Sequence, residues 1–320
     1  MPINIFAYQH GLYPRSEKVV SATRSLDRGR VDQAAVRDAF QQDEAQFIRV
    51  QQQAGVDFFS DGLISWQDIF RPLAESHGPL RPGPLVRWFD TNTFFRAPDL
   101  SGDIVGGVKA SNVLPSASVP GPRVASLPSP YMFSRAAEVG GKDRNALMVE
   151  IAQKLVRPAI EAAVGAGARV IHLEEPWLAY FGIDQADWGP FEESLRALRT
   201  GNTATVILHC YFGDAGRFID RLRKLPVDGI GVDLVETDVS ELGSGWDKDL
   251  MIGCLNGRSS LIESLESTVE LARRVADTVH PRNLYLSSTC DLEFLPTGVA
   301  DKKVQRLGEA AKRLKELVSV

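Results

Sequence analysis

Cysteine is scarce in this chain, at three residues in 320. So small and odd a number excludes a disulfide framework and makes a reducing cytoplasm the expected setting. No apolar run approaches the roughly 18 residues that cross a bilayer. The opening MPINIFAYQHGLYPR lacks the pattern of a secretion signal. Basic clusters are missing and the formal net charge is −5, which argues against nucleic acid as a partner. No glycine-rich phosphate loop follows an early strand, which disfavours an open nucleotide-binding sheet. Internal repeats and low-complexity tracts are absent as well.

What the chain has is apolar substance in a repeating order. Hydrophobic residues make up 44% and charged residues 24%, the balance of a protein with a large core. Eight strand-like runs are expected, near Ile3–Gln9, Val56–Asp61, Arg123–Pro128, Arg169–Glu175, Ala204–Tyr211, Gly229–Val235, Leu250–Asn256 and Leu284–Cys290. VIHLEE, TVILHC and GIGVDLV read as continuous apolar runs, as buried parallel strands do. Helical segments are expected at Val31–Ala54, Asn145–Ala166, Phe191–Arg199, Ala215–Lys224, Ser264–Val279 and Lys302–Val318, with Pro158 kinking or splitting the second. Strand–helix alternation of this kind predicts one (β/α)8 TIM barrel over residues 1–320. An insertion between strands two and three, residues 69–112, is expected to form a rim or lid. Within it, RWFDTNTFFRAPDL reads as an irregular hairpin.

Chemistry in such a barrel sits where the C-terminal strand ends converge. His209, Cys210 and Cys290 close two of the runs, which points to a soft-metal site. Cys254, between Gly253 and Leu255, reads as a small core residue. Adjacent residues on a strand face opposite ways, so His209 and Cys210 share a metal only if the strand bulges or has ended. Candidate carboxylates are Asp61, Glu174, Glu175, Asp233 and Glu236, each ending an apolar run; the bland alternative for any one is a helix cap or a salt bridge. Trp66, Trp88, Phe89 and Trp177 offer flat apolar surface, and each is as readily core.

Several segments resemble the cobalamin-independent methionine synthases. RVIHLEEPWLAYF is similar to that family's strand ending in acid–Glu–Pro. HCYFGDAGRFIDRLRKLPVDGIGVDLVET resembles its run from a zinc-binding strand to the next acidic strand end. SSTCDLEFLP resembles its late zinc-binding strand, RWFDTNTFF a stretch of its N-terminal barrel, and GLYPRSE its opening motif. The resemblance implies a barrel, a bound Zn2+ and methyl transfer to a thiol. Carried over, it makes His209, Cys210, Asp233 and Cys290 the metal ligands, with Glu236 as the alternative acid. Glu174 and Glu175 become the catalytic pair, and His10, Arg15, Asp61 and Trp177 the substrate contacts.

This chain departs from the family in three places. The family histidine stands two residues before its first cysteine; here Leu208 holds that place and His209 follows. Polar residues that help hold homocysteine are replaced by Leu12 and Leu63. The chain is also shorter than the two-barrel members. The leading expectation is a zinc-dependent methyltransferase acting on homocysteine, with methylcobalamin or a corrinoid protein as the candidate donor. The alternatives are alkyl transfer to another thiol, as in epoxyalkane–coenzyme M transferases, metal-free decarboxylation, and a non-catalytic corrinoid- or thiol-binding barrel.

Overall fold

The computed structural model describes residues 3–76, 81–104, 113, 116–199, 201 and 203–318. Seven parallel strands form one curled sheet. They are β1 (Asn4–Ala7), β4 (Arg123–Pro128), β5 (Ala168–Glu174), β6 (Thr205–Cys210), β7 (Gly229–Asp233), β8 (Asp249–Leu255) and β9 (Asn283–Ser288). Their order is β1-β9-β8-β7-β6-β5-β4. Residues 57–59 close the gap between the two edges. The Asp57 amide donates to Ala7 O (2.8 Å), Phe59 N to Pro122 O (2.9 Å) and Val124 N to Phe59 O (3.0 Å). This short segment is the eighth stave of a (β/α)8 barrel, and all eight expected strand runs find a place.

Alternation along each strand sorts the side chains into two cores. Tyr8, Val124, Val170, Ile207, Met251 and Tyr285 fill the barrel interior. Their neighbours in sequence, among them Ile171, Leu208 and Leu284, face the helices and join the larger outer core. Above the interior plug, the same inward parity carries the strand-end residues that form the mouth.

The insertion contains an antiparallel hairpin, β2 (Arg81–Arg87) and β3 (Phe94–Asp99), separate from the barrel sheet. Residues 77–80 and 105–112 of the expected excursion lie outside the described residues. The connection WFDTNT is pinned by Trp88 N to Thr93 O (2.9 Å) and Thr91 N to Trp88 O (3.0 Å).

Pro158 acts as anticipated, with more detail. A helix over Arg144–Ile151 passes into a π-type stretch, Ala152–Val156, before a helix resumes over Arg157–Gly165. Proline has no N–H for the carbonyl one turn earlier, and the wider π turn absorbs that gap. Short helices at Glu17–Asp27, Arg71–Ser76, Pro130–Ala136 and Pro176–Phe181 were not expected from periodicity. The last three are too brief to show a repeating stripe, and Glu17–Asp27 buries only Val19 and is started by the Ser16 cap.

The last helix, Thr297–Val318, lies against β1 and the helix Gln33–Ala54. At the crossing, a Cβ on Gly308 would collide with the Ala54 carbonyl. Gly308→Ala should therefore lower stability by about 1–3 kcal/mol, the range for overpacking a tight contact. Urea denaturation checks this; an unchanged midpoint would mean that the two helices separate freely.

Candidate active site at the barrel mouth

Four side chains from three strand ends converge in the barrel: His10 beyond β1, His172 and Glu174 on β5, and His209 on β6. Their ligand atoms lie within 4.8 Å of one another, and no other group of this kind occurs among the described residues. None is more than 1% exposed. The His10 and His172 rings stack at 4.0 Å. His10 Nδ1 is 2.9 Å from Glu174 Oε1, and His172 Nε2 is 3.2 Å from His209 Nδ1. Behind them, Tyr8 Oη meets His172 Nδ1 at 2.9 Å, and the Ser288 carbonyl lies 3.2 Å from His10 Nε2. Two buried atoms of these residues have no partner, Glu174 Oε2 and His209 Nε2. Such atoms are costly unless something binds them.

Electrostatics prepares the cluster as a donor set. Burial alone would raise the Glu174 carboxyl, yet His10 and His172 hold it well below the usual range. Burial opposes charge on His10, but Glu174 outweighs it and raises that ring. Burial and then the neighbouring His10 push His172 down to about 4, and His209 falls well below its ordinary value for the same reasons. The two rings are thus neutral imidazoles with lone pairs to offer.

Of the expected metal set, His209 lies in this group, while Cys210, Asp233 and Cys290 lie outside it. β6 does not bulge, so His209 faces inward and Cys210 joins the outer core. Burial, and then Glu175, raises the Cys210 thiol well above its ordinary value. Cys290 is also buried, with Sγ bonded to Asp291 O at 3.5 Å and its thiol raised by burial. Asp233 turns back to accept from Val235 N (2.9 Å), and the alternative, Glu236, is paired with Arg258 (2.6 Å) on the half-exposed rim. Cys254 is core, bonded to Ser287 O.

The other candidates divide. Glu174 and His10 are in the cluster. Glu175 caps the helix Pro176–Phe181, accepting from Leu178 N (2.9 Å), Met132 N (3.1 Å) and the Ser129 hydroxyl. Arg15 donates to the carbonyls of Ile64 and Trp66, and Asp61 accepts from Leu63 N, so both brace loops. Trp177 stands at the rim. Periodicity could have found His172, which shares a face with Glu174 at i, i+2, and Tyr8, which shares one with His10.

Beside the cluster, a narrow cavity of about 20 Å³ is lined by Leu12, Asp68, Trp88, Tyr211, Asp291 and Glu293, among others. Asp291 accepts from Leu12 N and from Tyr211 Oη (3.3 Å). Gly11, at φ +67°, allows this approach: a Cβ there would strike the Asp291 carboxylate. Over the mouth, Phe89 from the hairpin turn sits at φ +49°, among Trp177, Tyr180, Phe181 and Phe212 at ring distances of 5.0–5.6 Å. Asp90 beside it lies 3.6 Å from Arg258.

The family profile described as "Cobalamin-independent synthase, N-terminal domain" matches residues 68–280. The chain belongs to this family. The methionine synthase of Sulfolobus acidocaldarius is 24% identical over 302 residues, covering 92% of this chain and 87% of the relative. The 5-methyltetrahydropteroyltriglutamate–homocysteine methyltransferase of Herpetosiphon aurantiacus is 26% identical over 242 residues, 72% of this chain but 31% of that longer protein. Among solved structures, a B12-independent methionine synthase from Shewanella sp., in complex with selenomethionine, superposes with a TM-score of 0.77 at 17% identity. It covers 99% of this chain and 100% of its own, which bears out the barrel. Membership of a cobalamin-independent family corrects the expectation of methylcobalamin or a corrinoid protein as donor. Among the described residues, no helix is long and apolar enough to cross a membrane.

Two outcomes follow from the positions of the acids. Glu175→Ala should cost about 1–3 kcal/mol of stability by orphaning the Leu178 amide and the Ser129 hydroxyl, while the Met132 amide keeps Ser129 Oγ; a loss of activity at full stability would instead give Glu175 a chemical role. Burial also raises Asp61 to about 6, Asp233 to about 7 and Glu293 to about 8. For each, the unfolded chain loses its proton first as pH rises, so the folded state is progressively disfavoured from about pH 4 to pH 8. Urea unfolding of metal-free protein should show this decline, and Asp233→Asn should flatten it. A slope that Asp233→Asn leaves unchanged would contradict the burial argument for that residue.

Proposed function

We propose that this chain transfers a methyl group to the thiol of homocysteine, giving methionine. The observation that carries the reading is membership of the cobalamin-independent synthase family, joined to a buried polar cluster at the barrel mouth. The name of the Herpetosiphon relative supports a methylated tetrahydropteroyl polyglutamate as donor, although this chain spans under a third of that protein. Small molecules are therefore the expected partners.

The chain's own residues suit such an acceptor. Asp68, Glu174, Asp291 and Glu293 line the cavity and give it an acidic wall for an ammonium group. Leu12 lines the same space and accommodates an apolar side chain. Phe89, Trp177 and Phe181 form a stacked and edge-on aromatic surface at the rim, suited to a flat donor ring. The aromatic roof keeps water from the reacting sulfur. A metal ion, zinc in this reading, would be held by His10, His172, Glu174 and His209, and would supply the positive charge that keeps the acceptor sulfur ionised.

Incubation of zinc-supplemented protein with homocysteine and 5-methyltetrahydropteroyltriglutamate should yield methionine, measured by mass spectrometry. Asp291→Asn should reduce kcat/KM for homocysteine about tenfold or more, since a hydrogen bond to a charged group is worth about 1.5–3 kcal/mol. It should affect a simple thiol such as mercaptoethanol far less. Absence of methionine under these conditions sinks the reading, and methylation of mercaptoethanol in preference would move it to a different thiol.

A further inference from the structure

The family resemblance implies a metal bound through two cysteines, and this fold turns one of them away. We propose that His10, His172, Glu174 and His209 form a sulfur-free site for a divalent first-row metal ion, and that Tyr8 and the Ser288 carbonyl set which ring nitrogens face it. The assignment deepens the methyl-transfer reading, but metal binding is measured without any methyl donor, so either can fail alone.

The hydrogen bonds specify the donor atoms. A carbonyl only accepts, so the Ser288 oxygen at 3.2 Å places a proton on His10 Nε2. The lone pair of His10 then sits on Nδ1, which faces Glu174 Oε1 at 2.9 Å. Two acceptors that close require a cation between them: a proton when the site is empty, a metal ion when it is filled. The Tyr8 hydroxyl, 2.9 Å from His172 Nδ1 and fully buried, can accept that ring's proton and so leaves Nε2 free. His172 Nε2 points at His209 Nδ1 (3.2 Å) and Glu174 Oε1 (3.5 Å). The unpartnered Glu174 Oε2 and His209 Nε2 are the independent sign that the cluster lacks a component. Ligating histidines held by a hydrogen bond on the far ring nitrogen are the common arrangement in metal sites.

Charge separates this site from the one the resemblance implies. Three neutral imidazoles and one carboxylate leave a divalent ion with a single net positive charge. One imidazole, two thiolates and a carboxylate would leave it negative. The filled site therefore favours an anion at any open position, which suits a thiolate acceptor.

The test is Co(II) titration of stripped, full-length protein, followed by optical spectroscopy. One ion per chain is expected, with no thiolate-to-cobalt charge-transfer absorption, and azide should shift the visible bands. The Cys210→Ser/Cys254→Ser/Cys290→Ser variant should bind with unchanged affinity. Tyr8→Phe should bind about 10–100-fold more weakly, the usual loss for an outer-shell partner, in protein that circular dichroism shows to be folded at the titration temperature. His209→Ala should abolish tight binding; if that variant does not fold, the cysteine variant and the spectrum decide the matter. A charge-transfer band, release of metal by the cysteine variant, or no bound ion in the parent protein would overturn the assignment. Unchanged affinity in Tyr8→Phe would remove Tyr8 from it.

Discussion

A carboxylate buried at the centre of a barrel has to be answered by positive charge, and Glu174 imposes that demand here. It is 1% exposed, at the end of a strand whose inward face also carries Val170 and His172. Transfer of an unpaired charge to such a place is prohibitive. His10 and His172 answer it directly, which ties the end of β1 to the end of β5 across the barrel. Gly11 follows from the same demand, because the chain must pass close to Glu174 and Asp291 with no side chain in the way. The order of the mouth is thus built around one ionised group.

Strand parity decides which chemistry the mouth can offer. Tyr8 and His10, His172 and Glu174, and Ile207 and His209 each share the inward face, while Cys210 takes the outward one. A shift of one residue would exchange imidazole for thiol. β6 is held by regular pairing to β5 and β7, so that shift does not occur. The neighbours Glu174 and Glu175 show the same division. The first faces the cluster, and the second spends its oxygens on the helix Pro176–Phe181 and the loop at Ser129.

The hairpin β2–β3 adds a part that the barrel alone lacks. Its turn delivers Phe89 into an aromatic group on the loops after β5 and β6, in a backbone conformation unfavourable for a bulky residue. Packing in the roof offsets that strain. The four cluster residues are sealed beneath it, in surroundings where electrostatic interactions are strong.

Much of this was legible in the sequence. Continuous β-branched runs separated by helical stripes specify a parallel barrel, because only strands buried on both faces read that way. Strand ends then indicate where chemistry lies, and Glu174, His10 and His209 stand at such ends. The motif WFDTN indicates a hairpin and the family. What the sequence could not decide was the company each residue keeps. Cys210 and Cys290 carry the more conspicuous chemistry, and a motif-based alignment favoured them over the histidines. Only the three-dimensional register, which turns Cys210 into the outer core and brings His10 across the barrel to residues more than 160 positions away, chose imidazoles over thiols. Local composition sets which segments become strands; facing direction and long-range proximity arise from closure of the whole sheet, and no window of sequence contains them.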